Sequence, residues 1–121
     1  MPKVLIVDDS HTIRQQVNFT LTKDKLFDVI MAESAEDCFV KLKENPDISL
    51  IFSDINMPGM NGLEMVEKIK ADSQYSSIKV VMLTTEGNEQ KIQRAKNAGA
   101  NGWIVKPFVP EQLIDMAKKL A

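Results

Sequence analysis

The sequence predicts an α/β fold: a single doubly wound parallel sheet with helices on both faces. Short apolar, β-branched runs alternate with segments of helical periodicity along the whole chain, and the runs are nearly continuous rather than interrupted by polar residues. Continuous apolar runs are typical of parallel strands buried on both faces, and right-handed crossovers restrict their connection to a doubly wound topology. The 121 residues are therefore predicted to form one domain, residues 1–121.

Five runs have the composition of strands. The first, KVLIVDD, closes in two acids, and the next two, FDVIMA and ISLIFS, are almost entirely apolar. KVVMLTT ends in two hydroxyl residues, and the short GWIVKP ends in a lysine and a proline. In chain order the predicted strands are 3–9, 27–32, 48–53, 79–85 and 102–107.

A helix is predicted after each strand, from apolar residues at helical spacing and from the residues at helix ends. Ser34 and Asp37 have the form of a capping box, Gly99 closes the fourth helix, and Pro110 occupies a helix start, where its missing N–H costs nothing. The apolar faces are Ile13, Val17 and Leu21 in the first helix, Cys38, Phe39 and Leu42 in the second, and Leu63, Val66 and Ile69 in the third. In chain order the predicted helices are 11–23, 34–45, 62–72, 88–100 and 110–121.

Composition excludes several classes of function. The formal net charge of −2 and the pI of about 5.4 argue against a nucleic-acid-binding face. No apolar run approaches the roughly 20 residues of a membrane span. The single cysteine, Cys38, excludes an internal disulfide and a cysteine-rich zinc site, and its position on an apolar stripe predicts inert packing. We expect a cytoplasmic protein, with a monomer as the default state.

Reactive side chains follow four of the five predicted strands. In a parallel α/β sheet the carboxyl ends of the strands form one edge, and ligands bind there. That edge is predicted to carry three carboxylates, two hydroxyl groups and one ammonium group: Asp8, Asp9, Asp54, Thr84, Thr85 and Lys106.

Three carboxylates that lie together raise one another's pKa unless cations are present. Lys106 supplies one positive charge, and an all-oxygen site of carboxylates and water suits Mg²⁺. Such a site has the parts needed to handle a phosphoryl group. Asp54, which ends the predicted central strand, is the best candidate nucleophile.

Each feature also has a simpler interpretation. Asp9 and Ser10 together are a common helix cap, and Asp54 and Asn56 are compatible with a plain Asx turn. Turn chemistry does not explain why an acid ends a buried strand. Met57 and Met60, in the loop that follows, are candidates for exposed contacts with a partner, and Trp103 could be core or partner surface.

Four motifs together resemble the receiver domain of two-component response regulators, and within that family the chemotaxis regulators. They are VDDS after the first strand, SDINMPGMNG at the third, MLTTEG at the fourth and VKPF at the fifth. The resemblance covers the whole chain, with the motifs in family order and with family-like spacing. It implies a flavodoxin-like fold with strand order 2-1-3-4-5.

The resemblance also implies residue roles. Asp54 would accept a phosphoryl group from a phosphohistidine on a sensor histidine kinase of the CheA type. Asp9 would bind Mg²⁺ directly, and Asp8 would bind through water or orient the site. Asp54 and the backbone carbonyl of Asn56 would complete the metal set. Lys106 would pair with Asp54 and then with the phosphoryl group, and its bond to the following proline is cis in the family.

A switch region is implied around the fourth and fifth strands. The hydroxyl group of Thr84 would bind the phosphoryl group and draw in the loop that carries Thr85 and Glu86. Trp103 would then move from exposed toward buried, although the chemotaxis regulators usually carry tyrosine at its position. Asn56 and Glu86 match the residues that tune dephosphorylation in the family.

Two signalling roles follow, and neither is that of an enzyme acting on a separate substrate. Since the chain ends just after the fifth predicted helix, output is expected through non-covalent binding of a target, with the flagellar motor switch as the first candidate and a phosphatase as a possible further partner. The alternative is a phosphorelay intermediate or phosphate sink. A phosphohydrolase with a strand-end aspartate nucleophile is a third hypothesis, but such enzymes typically carry a second acid where this chain has Asn56.

Overall fold

A computed structural model of the chain describes residues 1–85 and 87–121, in which strands and helices alternate. The strands are β1 Lys3–Val7, β2 Asp28–Ala32, β3 Ile48–Ser53, β4 Lys79–Thr84 and β5 Gly102–Val105. The helices are α1 His11–Thr22, α2 Ala35–Glu44, α3 Gly62–Ala71, α4 Glu89–Ala98 and α5 Pro110–Leu120. Every predicted element is present, and where a boundary differs it lies one or two residues inside the predicted range.

The strands form one parallel sheet in the order β2-β1-β3-β4-β5. This confirms the predicted doubly wound, flavodoxin-like α/β fold. β3 lies at the centre, paired with β1 on one side and β4 on the other, whereas β2 and β5 form the edges. The central strand is therefore held by hydrogen bonds from both neighbours, which suits it to present a fixed side chain at its end.

The core has two layers, one on each face of the sheet. Successive residues of β3 point to opposite faces: Leu50 and Phe52 pack with α1 and α5, and Ile51 packs with α2, α3 and α4. This double burial explains why the strands are continuous apolar runs in the sequence. Cys38 lies fully buried in the second layer, where burial raises the pKa of its thiol to about 12, as expected for an inert packing residue.

Helix ends follow the predicted signals. The Ser34 hydroxyl accepts a hydrogen bond from the amide of Asp37, and the carboxylate of Asp37 accepts one from the amide of Glu33. Gly99 ends α4 in the left-handed conformation, with φ of 103°. In the part of the chain that the structure describes, no helix is both long and apolar enough to cross a membrane.

Candidate functional site

Backbone hydrogen bonds fix the residues at the carboxyl edge of the sheet. The amide of Asp8 donates to the carbonyl of Ala32 over 3.1 Å, and the amide of Asp54 donates to the carbonyl of Val7 over 3.0 Å. These bonds extend the pairing of β1 with β2 and with β3 by one residue. The two aspartates are thus positioned by the sheet itself rather than by flexible loops.

Asp8 and Lys106 form the closest ion pair of the site. The Lys106 ammonium lies 2.7 Å from Asp8 Oδ2, while the backbone amide of Ser10 donates to Asp8 Oδ1 over 2.9 Å. Burial raises the pKa of the Asp8 carboxyl above its ordinary value, and these two hydrogen bonds offset only part of that effect. Both oxygens of Asp8 are therefore engaged within the protein.

Asp54 is buried and is held mainly by the backbone that follows it. Its Oδ1 accepts a hydrogen bond of 2.7 Å from the amide of Ile55 and a longer one of 3.4 Å from the amide of Asn56. Lys106 lies 3.4 Å from Asp54 Oδ2, which is long for a charge-assisted hydrogen bond. The lysine thus reaches the predicted acceptor, but it pairs more closely with Asp8.

Three carboxylates meet at this edge, as the strand ends predict. One oxygen from each of Asp8, Asp9 and Asp54 lies within 4.8 Å of the others. Asp8 and Asp54 are buried, and Asp9 is exposed. An oxygen-only donor set with one face open to water fits Mg²⁺, which prefers carboxylates and retains several waters. These residues therefore fit the metal that the family resemblance implies.

Two of the predicted switch residues, Thr84 and Thr85, lie at the end of β4 and directly after it. Thr84 is fully buried at the end of β4, and its carbonyl accepts a 2.8 Å hydrogen bond from the amide of Lys106. Thr85, next in the chain, is exposed. Glu86 lies outside the described residues. The Lys106–Pro107 peptide bond is cis, as the resemblance implies.

Trp103 is half-buried and packs against the core layer that contains α4. Its indole Nε1 is shielded from solvent, yet it has no hydrogen-bond acceptor among residues 1–85 and 87–121. A cavity of about 100 Å³ adjoins the ring, between α4 and β5. The ring is thus neither fully exposed nor fully buried, and it has space beside it.

In the loop after β3, the burial of one methionine differs from the prediction. Met57, expected to be exposed, is 7% exposed and packs in the core, so that prediction is wrong for this residue. Met60 is half-buried, and Asn56 is exposed. The physical reason is that the loop folds back over the sheet edge, where the amide of Gly62 donates to the carbonyl of Ile55 over 2.9 Å.

Two contacts of the site were not predicted from the sequence. Arg14 donates a 2.6 Å hydrogen bond to the carbonyl of Asp8, and Gly62 packs directly against the backbone of Asp54. A side chain at position 62 would place its Cβ only 2.9 Å from the Cα of Ile55 and even nearer to the Asp54 carbonyl. A glycine at the first position of a helix, after a Pro-Gly loop, was the available signal for this close approach.

Comparison with known proteins agrees with this geometry. The family model for the response regulator receiver domain matches residues 4–118. This chain belongs to the response regulator receiver family. As a receiver of the CheY type, it is a signalling regulator rather than a conventional enzyme.

Named relatives and solved structures support the same assignment. The chain is 42% identical to chemotaxis protein CheY1 of Helicobacter pylori over 111 residues, which cover 92% of this receiver and 90% of the relative. It is also 42% identical to a chemotaxis protein CheY homolog of Campylobacter jejuni, covering 85% of that protein. The structure of Vibrio cholerae CheY4 is 41% identical and superposes with a TM-score of 0.91, covering all of this chain and 99% of that one.

The contact between Gly62 and Asp54 generates a stability prediction. We expect Gly62→Ala to lower the free energy of unfolding by about 1–3 kcal/mol, because the added methyl group must push α3 away from the Asp54 backbone. Urea denaturation followed by circular dichroism measures the change.

Gly87→Ala is the matched control, since a Cβ at that position would meet no atom within 4 Å. We expect its stability to stay within about 0.5 kcal/mol of the wild type or to rise slightly. Equal stability of the two variants would contradict the close packing of α3 on Asp54.

Proposed function

We propose that this receiver is a diffusible chemotaxis response regulator that accepts a phosphoryl group on Asp54. The observation that supports this most strongly is the convergence of Asp8, Asp9 and Asp54 with the ammonium group of Lys106 at one sheet edge. A buried carboxylate at the end of the central strand, with a cation beside it, is arranged for attack on phosphorus. The phosphodonor is a phosphohistidine of a sensor histidine kinase.

The transfer exchanges one bond for another. A carboxylate oxygen of Asp54 attacks the phosphorus in line, an O–P bond forms, and the N–P bond to the donor imidazole breaks, leaving its electron pair on the nitrogen. The hydrogen bond from the amide of Ile55 to Oδ1 fixes the rotation of the Asp54 carboxylate. The attacking oxygen is thereby held in one orientation relative to the incoming phosphorus. Lys106 lies close enough to stabilise the negative charge of the transferred oxygens.

Asp8, Asp9 and Asp54 would hold Mg²⁺, together with the backbone carbonyl of Asn56. When bound, this ion supplies charge neutralisation for the phosphoryl oxygens. Both oxygens of Asp8 already accept hydrogen bonds, whereas Asp9 is exposed. Asp9 is thus suited to bind the metal directly, and Asp8 to orient its surroundings.

Output is proposed to pass through β5 and its neighbouring helices. The indole N–H of Trp103 is shielded from solvent and has no acceptor among residues 1–85 and 87–121, and a buried donor left without an acceptor costs about 1–3 kcal/mol, so a rearrangement that pairs or solvates it would recover part of that cost. Phosphorylation would draw the Thr84 hydroxyl toward the new oxygens and change the space around Trp103. Thr85 and Glu86 belong to the same switch region, with Glu86, like Asn56, tuning the lifetime of the phosphoryl group.

The target of this switched surface is proposed to be the flagellar motor switch, with a phosphatase as a further partner. The chemotaxis names of the relatives at 42% identity support this choice. We place the protein in the cytoplasm as a monomeric domain spanning residues 1–121.

The acceptor assignment is tested by phosphorylation with acetyl phosphate. We expect mass spectrometry to find one added phosphoryl group on the wild type in the presence of Mg²⁺, and none on Asp54→Ala or after chelation with EDTA, because each loses an essential part of the site. Asp24→Ala removes an exposed carboxylate elsewhere and should be modified like the wild type. A phosphoryl group retained by Asp54→Ala would overturn the assignment.

Trp103, the single tryptophan, reports on the switch. We expect beryllofluoride with Mg²⁺ to change its fluorescence emission, because the environment of the half-buried ring is altered when Thr84 moves. The change should disappear in Asp54→Ala. Emission that stays constant in a wild-type protein shown to be phosphorylated would contradict a switch role for Trp103.

Measurements of target binding distinguish a response regulator from a phosphorelay intermediate or phosphate sink. We expect beryllofluoride to increase the affinity of the wild type for isolated motor-switch protein by about tenfold or more, and to have no effect on Asp54→Ala. Surface-immobilised target and a titration of the receiver measure both affinities. Equal affinity with and without beryllofluoride, together with rapid return of the phosphoryl group to a kinase histidine, would favour the relay or sink role.

A further inference from the structure

Arg14 links the start of α1 to the acidic loop before it. Its Nη1 donates a hydrogen bond of 2.6 Å to the carbonyl oxygen of Asp8, and the side chain is half-buried. Its backbone amide donates to the carbonyl of Ser10 over 3.0 Å, so its own backbone belongs to the regular helix. The guanidinium therefore connects the loop that carries Asp8 and Asp9 to a regular helix.

Helix stability does not explain a cation at this position. The first turn of α1 contains no acidic residue, and the positive end of the helix dipole disfavours a guanidinium nearby. Ser10 already caps the helix by accepting a hydrogen bond from the amide of Ile13. Among the residues that the structure describes, the side-chain hydrogen bond of Arg14 goes to the loop that carries the acids.

The carbonyl that Arg14 binds belongs to the peptide group between Asp8 and Asp9. Because a peptide group is planar, fixing that oxygen also fixes the direction in which the chain enters Asp9. The carboxylate of Asp8 is independently fixed by Ser10 and Lys106. Asp9 is exposed, and the orientation of the peptide group before it is what Arg14 restrains.

We infer that Arg14 is a positioning residue for the metal site, which holds the Asp8–Asp9 peptide so that the carboxylate of Asp9 faces those of Asp8 and Asp54. This inference rests on the proposed function, since it assumes that the three acids bind Mg²⁺. It assigns Arg14 no contact with the metal or with the phosphoryl group. Its effect reaches the site only through the backbone.

The test measures Mg²⁺ affinity by isothermal titration calorimetry in the full chain. We expect Arg14→Met to bind Mg²⁺ about tenfold more weakly than the wild type, as is usual when a group that orients a metal ligand is lost. Arg14→Lys, which keeps the positive charge and a hydrogen-bond donor, should recover part of the affinity. In metal-free protein, the backbone amide signals of Asp9 and Ser10 in nitrogen–proton NMR spectra should shift or broaden in Arg14→Met.

Arg94→Met is the matched control, because Arg94 pairs with Glu67 on the surface between α3 and α4 and its loss changes the net charge equally. We expect it to leave Mg²⁺ affinity and the Asp9 signal unchanged.

Affinity of Arg14→Met equal to that of Arg94→Met would overturn the inference, and tighter binding would show that Arg14 acts by charge repulsion instead. If Arg14→Met does not fold, Arg14→Lys decides: affinity weaker than that of the wild type with a shifted Asp9 signal supports the inference, and wild-type affinity with an unshifted Asp9 signal overturns it. Failure of the wild type to bind Mg²⁺ would refute the proposed function itself, a separate result.

Discussion

The ion pair between Lys106 and Asp8 is the interaction on which the acidic site depends. Asp8 is 2% exposed, and burial by itself favours the neutral form of its carboxyl. The ammonium group at 2.7 Å supplies the stabilisation that a buried carboxylate otherwise lacks. The charge of Asp54 also raises the pKa of Asp8, by less than burial does, and Lys106 opposes both effects. A lysine from the last strand connection is thus what permits acids from two other strand ends to stay together.

The sheet fixes the positions of the charged residues at its edge. Hydrogen bonds at the rim continue the ladder beyond the strand ends, from Asp8 to β2, from Asp54 to β1 and from Lys106 to β4. Each charged side chain is therefore positioned by backbone pairing, and the side chains themselves need only reach inward. Residues almost one hundred positions apart in sequence can meet at hydrogen-bond distance because parallel strands align their carboxyl ends.

The sequence was sufficient to predict the elements and the rim where the acids meet, since apolar periodicity and strand-end residues are local properties, whereas the order of the strands came from the family resemblance. Details that depend on distances across the rim were not predictable in the same way. The closer pairing of Lys106 with Asp8 than with Asp54 and the burial of Met57 follow from how the loops fold over the sheet. The contact from Arg14 to the Asp8 carbonyl had only a weak local signal, a cation near a helix start.

The residues proposed for phosphoryl transfer and for output lie on strands with different positions in the sheet. Asp54 follows β3, which is bonded on both sides, whereas Trp103 lies on β5, an edge strand of four residues paired only with β4. Converting a carboxylate into an acyl phosphate raises the negative charge beside Lys106, which begins the segment after β5. A strand held on one side yields to such a change more easily than a central one. In the proposed switch, the central strand can therefore keep Asp54 in place while the edge strand that carries Trp103 moves.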